Sequence, residues 1–145
     1  MRSHTTVRDA FSRISTRLCV VTGFIAALGT VARPAGGGAH AFLGDCGAYR
    51  GFIQIIWDSA SEIVVHRIWT LNPGAGNGST MLRTLCELAD RHGITIKLKA
   101  VPFGRKPYRL GRDQLMIWYQ RHGFEGTHRK MIRRPRSISA IAAPS

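Results

Sequence analysis

Val7, Phe11, Ile14, Leu18, Val21, Ile25 and Leu28 recur at alternating steps of four and three residues, which puts them on one face of a helix. Thr6 stands where it can cap that helix, and Asp9 three residues later can close a capping box. Gly23 and Gly29 weaken it by roughly 1 kcal/mol each relative to Ala. The same stretch has a second reading. Residues 18–32 carry no charge between Arg17 and Arg33, short of the roughly 20 apolar residues of a membrane span but suited to the apolar part of a secretory signal. Arg2, Arg8, Arg13 and Arg17 would be its basic start, and Ala39-His40-Ala41 resembles a small-residue cleavage site. An acid-poor start with Arg and Ser also fits an organelle transit peptide.

Beyond this segment the pattern changes. Residues 34–47 are rich in Gly and Ala, with Pro34 at their start, and read as a linker. Residues 48–57 are aromatic and β-branched, residues 58–61 are turn-forming, and residues 62–70 are again β-branched: two strands joined as an antiparallel hairpin. A glycine-rich loop over 72–79 leads into a helix with Met81, Leu82, Leu85, Leu88 and Ala89 as its apolar stripe and His92-Gly93 as its end. In the next strand Ile94, Ile96 and Leu98 alternate with Thr95, Lys97 and Lys99. A loop with two prolines follows over 102–111, then a helix over 113–122 stopped by Gly123, a last strand over 124–133, and a tail. The division expected is a helix or signal-like segment over 1–33, a linker over 34–47, a domain over 48–135 and a flexible tail over 136–145. From residue 48 the order is β-β-loop-α-β-α-β, an α/β pattern of about 90 residues.

Composition limits what this pattern can be. The chain has 145 residues, one domain's worth, and 44% are hydrophobic, which supports a packed core and excludes wholesale disorder. Lys and Arg number 21 against 8 acids, a net +13 that attracts polyanions such as nucleic acid, anionic lipid or phosphate-bearing cofactors. Three cysteines with no CxxC pair indicate neither a disulfide framework nor a zinc site.

The glycine-rich loop is the first candidate site. A strand entering a glycine turn and then a helix can hold phosphate, because backbone N–H groups converge at the positive helix start. A Walker loop needs Gly-Lys-Ser/Thr, and Gly78-Ser79 lacks the lysine. A dinucleotide fingerprint counted from Gly74 needs Gly where Ser79 stands, and this loop follows a hairpin instead of opening a βαβ unit. A plain flexible turn is the remaining alternative.

Trp118-Tyr119-Gln120-Arg121-His122-Gly123-Phe124 is the second motif, on a helix that ends in Gly and enters a strand. Here the sequence resembles the GNAT acyltransferase family. That family's pyrophosphate signature, Arg/Gln-x-x-Gly-x-Gly/Ala, matches as Pro73-Gly74-Ala75-Gly76-Asn77-Gly78, and its Phe-Tyr-x-x-x-Gly-Phe pattern matches as residues 118–124. The resemblance covers about residues 48–135. Within the family it is nearest to very short phage-borne acetyltransferases, some of them anti-CRISPR proteins, which also carry an Ala-x-Pro segment, here Ala100-Val101-Pro102. Pro73 departs from the signature, since it offers neither a side-chain donor nor a backbone N–H.

The resemblance implies a compact GNAT-like α/β fold, a mixed and mostly antiparallel sheet flanked by helices. It implies acetyl-CoA as co-substrate, with no metal, and direct transfer of the acetyl group to an amine of a protein lysine or a small molecule. Acetyl-CoA would enter between the strand ending near Thr70 and the strand over 94–101. Backbone groups of Gly74, Ala75, Gly76, Asn77, Gly78 and Ser79 would bind pyrophosphate. Those near Ile68, Trp69 and Thr70 would meet the acetyl carbonyl and the pantetheine arm, and Tyr119 would give a proton to the departing thiolate. Strict alternation puts Glu62, Val64, His66 and Ile68 on one strand face; the resemblance implies that this face lines the active site, which makes Glu62 and His66 the candidate bases, and an imidazole is the side chain suited to proton transfer near neutrality. Trp69 and Trp118 read as packing residues.

Arg105, Lys106, Arg109 and Arg112 cluster before the Tyr helix, and Arg129, Lys130, Arg133, Arg134 and Arg136 cluster at the end. They suit a solvated basic face, contact with the cofactor's 3′-phosphate (Arg112), or docking on nucleic acid or a nucleic-acid-binding complex. A cofactor of this kind belongs inside the cell, which favours the folded N-terminal helix and a cytoplasmic protein, of a bacterial host if phage-borne, with no stable membrane span. Phage counter-defence is what the nearest resemblance implies. The alternative from another class is a non-catalytic basic module of the same fold that binds nucleic acid or a ribonucleoprotein.

Overall fold

The computed structural model describes residues 20–43, 48–71, 76–102 and 110–136. Helix α1 occupies residues 20–28 of this range. It is followed by β1 (Ala32–Pro34), β2 (Ala39–Leu43), β3 (Tyr49–Ser59), β4 (Glu62–Thr70), α2 (Asn77–His92), β5 (Thr95–Leu98), α3 (Arg112–Arg121), β6 (Glu125–Thr127) and β7 (Lys130–Arg133). The strands form one sheet in the order β1-β2-β3-β4-β5-β7-β6. Neighbours are antiparallel except β4 and β5, which run parallel because α2 carries the chain back across the sheet. The expected α/β class with a mixed, mostly antiparallel sheet is what the chain adopts.

Periodicity accounts for most elements. Met81, Leu82, Leu85, Leu88 and Ala89 are buried as expected, joined by Cys86, and α2 packs on β3, β4 and β5. Gly93 takes the left-handed conformation at its end, donating its N–H to Ala89 O. Ile94, Ile96 and Leu98 all face the core.

Four expectations need correction. The span 34–47 is not simply a linker: residues 36–38 make a tight turn from β1 into β2, where Ala41 and Phe42 are buried. Glycine and alanine composition masked this strand, and Ala39-His40-Ala41 lies within it, paired with β3. In α1 the buried positions are Phe24 and Leu28, while Ile25 is 52% exposed. The large Phe24 ring sets the phase by meeting Trp57 edge-on at 5.6 Å. The earlier part of that helical stripe, with Thr6 and Asp9, lies outside the described residues. The last strand is a hairpin, β6 and β7, turning at residues 128–129.

The fourth concerns charge. Arg133 is not part of a solvated basic face but is 4% exposed. Met131 and Arg133 both point inward from β7, so the guanidinium must find partners inside. It donates to both Asp90 carboxylate oxygens, at 2.7 and 2.9 Å, and from Nε to His122 O at 2.7 Å. The Arg136 N–H adds 2.8 Å to Asp90 Oδ1. Burial alone would raise the Asp90 pKa, but these donors outweigh it and hold the carboxyl below its ordinary value.

Candidate active site between two parting strands

β4 and β5 pair from Glu62↔Thr95 to Val65↔Leu98. β5 then stops while β4 runs on to Thr70, so the two strands part. The opening is a cavity of about 570 Å³. Residues 64–69 of β4 form one wall, Lys99, Val101 and Pro102 the other, and Tyr119 closes it from α3. Beyond Val65, β4 stays paired with β3 but has no partner on its β5 side among the described residues, which leaves backbone donors and acceptors facing the opening.

The wall of β4 contains a bulge. Its register passes from Gln54↔Arg67 to Ile55↔Val65, so His66 is an extra residue in the strand. Strict alternation therefore fails here. Ile68 is not on a face with Glu62, Val64 and His66; it is buried with Ile63 and Val65. His66 and Arg67, both exposed, line the cavity. Glu62 lies about 13 Å back along the strand from His66. Its carboxylate is ion-paired with Lys97, which also reaches Asp58 at 3.1 Å, and it is not among the residues lining the cavity.

Next to the C-terminal end of β4 lies the start of α2. Gly76 enters the helix with φ 81° and ψ 7°, a conformation open to glycine and costly for other residues. Thr80 donates to Gly76 O from both its N–H and its hydroxyl, each at 3.1 Å. The first turn carries no acid, and the N–H groups ahead of Thr80 have no intrahelical acceptor. Asn77 Nδ2 donates to Leu71 O at 2.7 Å, and Arg50 Nη1 donates to Asn77 Oδ1 at 3.2 Å, which brings a guanidinium from β3 to the turn. A side chain at Gly78 would begin 3.1 Å from the Thr70 methyl and next to Trp118.

Trp118 is more than packing: its Nε1–H donates to Ser79 Oγ at 2.8 Å. This bond ties the second motif to the first. Tyr119, 3% exposed, rests against Trp118 and Phe124, with ring centroids 5.0 and 5.5 Å away. Burial pushes its phenol pKa up, so the hydroxyl stays protonated through the neutral range.

The structure thus gathers Ile68, Trp69, Thr70, Gly76, Asn77, Gly78, Ser79, His66 and Tyr119 around one opening and its adjoining turn, and leaves Glu62 apart. Arg112 opens α3 as an exposed residue. Pro73, Gly74, Ala75, Arg105, Lys106 and Arg109 lie outside the described residues. Arg50 and the Trp118 donor were missed by sequence reasoning. A polar indole tip and an arginine on an otherwise aromatic and β-branched strand were the only signals for them.

No protein-family model matches the sequence, and neither does any curated protein. Among solved structures, Ard1 from Thermoplasma volcanium superposes with a TM-score of 0.51 at 16% identity, over 69% of this chain and 72% of that one. Tetrahymena Gcn5 superposes at 0.47 with 8% identity, covering 68% of each chain. Nourseothricin acetyltransferase superposes at 0.45 with 18% identity, over 72% of this chain and 69% of its own. Strand order, the parallel β4–β5 pair that parts after Val65, and the superposition on Ard1 together give this chain the fold of the GNAT acetyltransferases.

Proposed function

We propose that the chain is an N-acetyltransferase that takes acetyl-CoA as donor and an amine as acceptor. The single observation that carries this reading is the placement of Tyr119 on the cavity between the parted strands, with its neighbour Trp118 bonded to the first turn of α2. The turn fits pyrophosphate: glycine at 76 and 78, no acid in the first turn, and N–H groups without intrahelical acceptors. Arg50 supplies there the positive charge that Pro73 cannot.

Acetyl-CoA supplies an activated acyl carbon, to which the amine nitrogen bonds as the C–S bond breaks and its electron pair leaves with sulfur. The cavity holds the two reactants side by side. Backbone N–H groups of β4 beyond the bulge meet the carbonyl oxygen as it gains charge. His66 takes the proton lost by the amine; Glu62 is engaged by Lys97 and stands outside the lining. Tyr119 donates to the departing sulfur. A phenol pushed above its ordinary value is a weaker acid than a thiol of about 8.5, so Tyr119 acts first as a hydrogen-bond donor that stabilises the thiolate.

Calorimetric titration with acetyl-CoA tests the reading. Saturable binding that is lost in Gly76→Arg supports it. Salt-dependent binding to nucleic acid with no response to coenzyme A would sink it in favour of the basic module.

A further inference from the structure

Resting on that reading, we infer that the acceptor is a small amine that also carries a negative charge and an apolar body, an amino-acid-like molecule, and not a polyamine or other polycation. The inference comes from the charge on the cavity walls. Arg67 and His66, both exposed, line the opening from β4 and exposed Lys99 lines it from the other side, and among the described residues no acid lines it. Neither Arg67 nor Lys99 has an ion-pair partner among the described residues. The described acids nearest in sequence to the β4 wall are committed elsewhere, Asp58 and Glu62 to Lys97.

These cations do not coincide with the phosphate turn. A Cβ at Gly78 would meet the Thr70 methyl of β4, and Arg67 lies three strand positions back from Thr70, about 10 Å. Lys99 comes directly after Leu98, where pairing ends, so both cations flank the point where the strands part. A polycation would meet repulsion there, with no carboxylate among the described lining residues to offset it. An amine with a carboxylate gains two charge-assisted partners. The same field disfavours the ammonium and favours the free amine, the form that attacks. Trp69 and Val101, 43% and 62% exposed, are apolar surfaces on opposite walls for the acceptor's body.

The test uses the full chain. Acetyl-CoA binding is measured by calorimetry, and thiol release is then followed with L-phenylalanine and L-leucine, with phenethylamine and isoamylamine as their counterparts without the carboxylate, and with spermidine. The expected result is kcat/KM at least about tenfold higher for the carboxylated member of each pair. Arg67→Glu combined with Lys99→Glu lowers that ratio by a similar factor. Both members are compared in one protein, so partial misfolding cancels; Arg67→Gln with Lys99→Gln serves if the reversal does not fold. Preference for the amines or for spermidine, or no reaction with either amino acid, in a protein that binds acetyl-CoA overturns the inference and leaves the acetyltransferase reading in place. Absence of acetyl-CoA binding removes both.

Discussion

The Trp118 indole N–H and the Ser79 hydroxyl oxygen lie 2.8 Å apart across 39 positions of sequence. The bond joins α3, which carries Tyr119, to the first turn of α2. It makes the distance between Tyr119 and the start of α2 a property of the fold and not of a loop. Trp118→Phe keeps an aromatic ring and removes the donor. The expected outcome is acetyl-CoA affinity weaker by about tenfold and a stability loss of about 1 kcal/mol, read by calorimetry and by urea unfolding.

Tyr119→Phe separates binding from chemistry. The ring contacts with Trp118 and Phe124 remain, so the fold and acetyl-CoA affinity should change by less than about twofold. Loss of a donor to the leaving sulfur should lower kcat by about 100-fold. Equal kcat in the two proteins would remove Tyr119 from the chemistry.

Arg50 is the cation that β3 presents to Asn77 at the start of α2. Arg50→Ala should raise KM for acetyl-CoA by about tenfold with kcat at saturation little changed, and should flatten the salt dependence of binding. An unchanged KM would show that backbone groups alone hold the phosphates.

Asp90 links stability to pH. Its folded-state pKa lies below the ordinary carboxyl value, so its contribution is present above about pH 4 and is lost as pH falls through the folded value. Urea midpoints should therefore begin to drop below about pH 5 and keep falling until the pH has passed below the folded value. Asp90→Asn should cost about 3 kcal/mol at pH 7, because Arg133 is left buried without its counter-charge. In that variant the acid-side drop should be smaller.

Unbroken periodicity was readable and broken periodicity was not. The stripe of α2, the β3–β4 hairpin and the alternation of β5 follow from local pattern, and with them the fold class. The phase of α1 depends on Phe24 finding Trp57, a contact between distant residues that no window of sequence contains. β2 was hidden because small residues serve turns and buried strands alike. At the site, Tyr119 and His66 were legible as candidates and both line the cavity. Glu62 was named by strand phase and by the family resemblance, and position along the strand places it with Lys97. Arg133 looked like surface charge because its partner Asp90 is 43 residues away.

A strand that holds one residue more than its neighbour has a place that answers to the opening and not to the core. In β4 that surplus place belongs to His66. Excise it, and Val65 and Arg67 become ordinary consecutive neighbours while Ile68 keeps its berth among Ile63 and Val65. The chain can thus be edited at this one point, by replacement or removal, with its interior left as it stands. Whatever reactivity the opening has can be retuned there without renegotiating the fold.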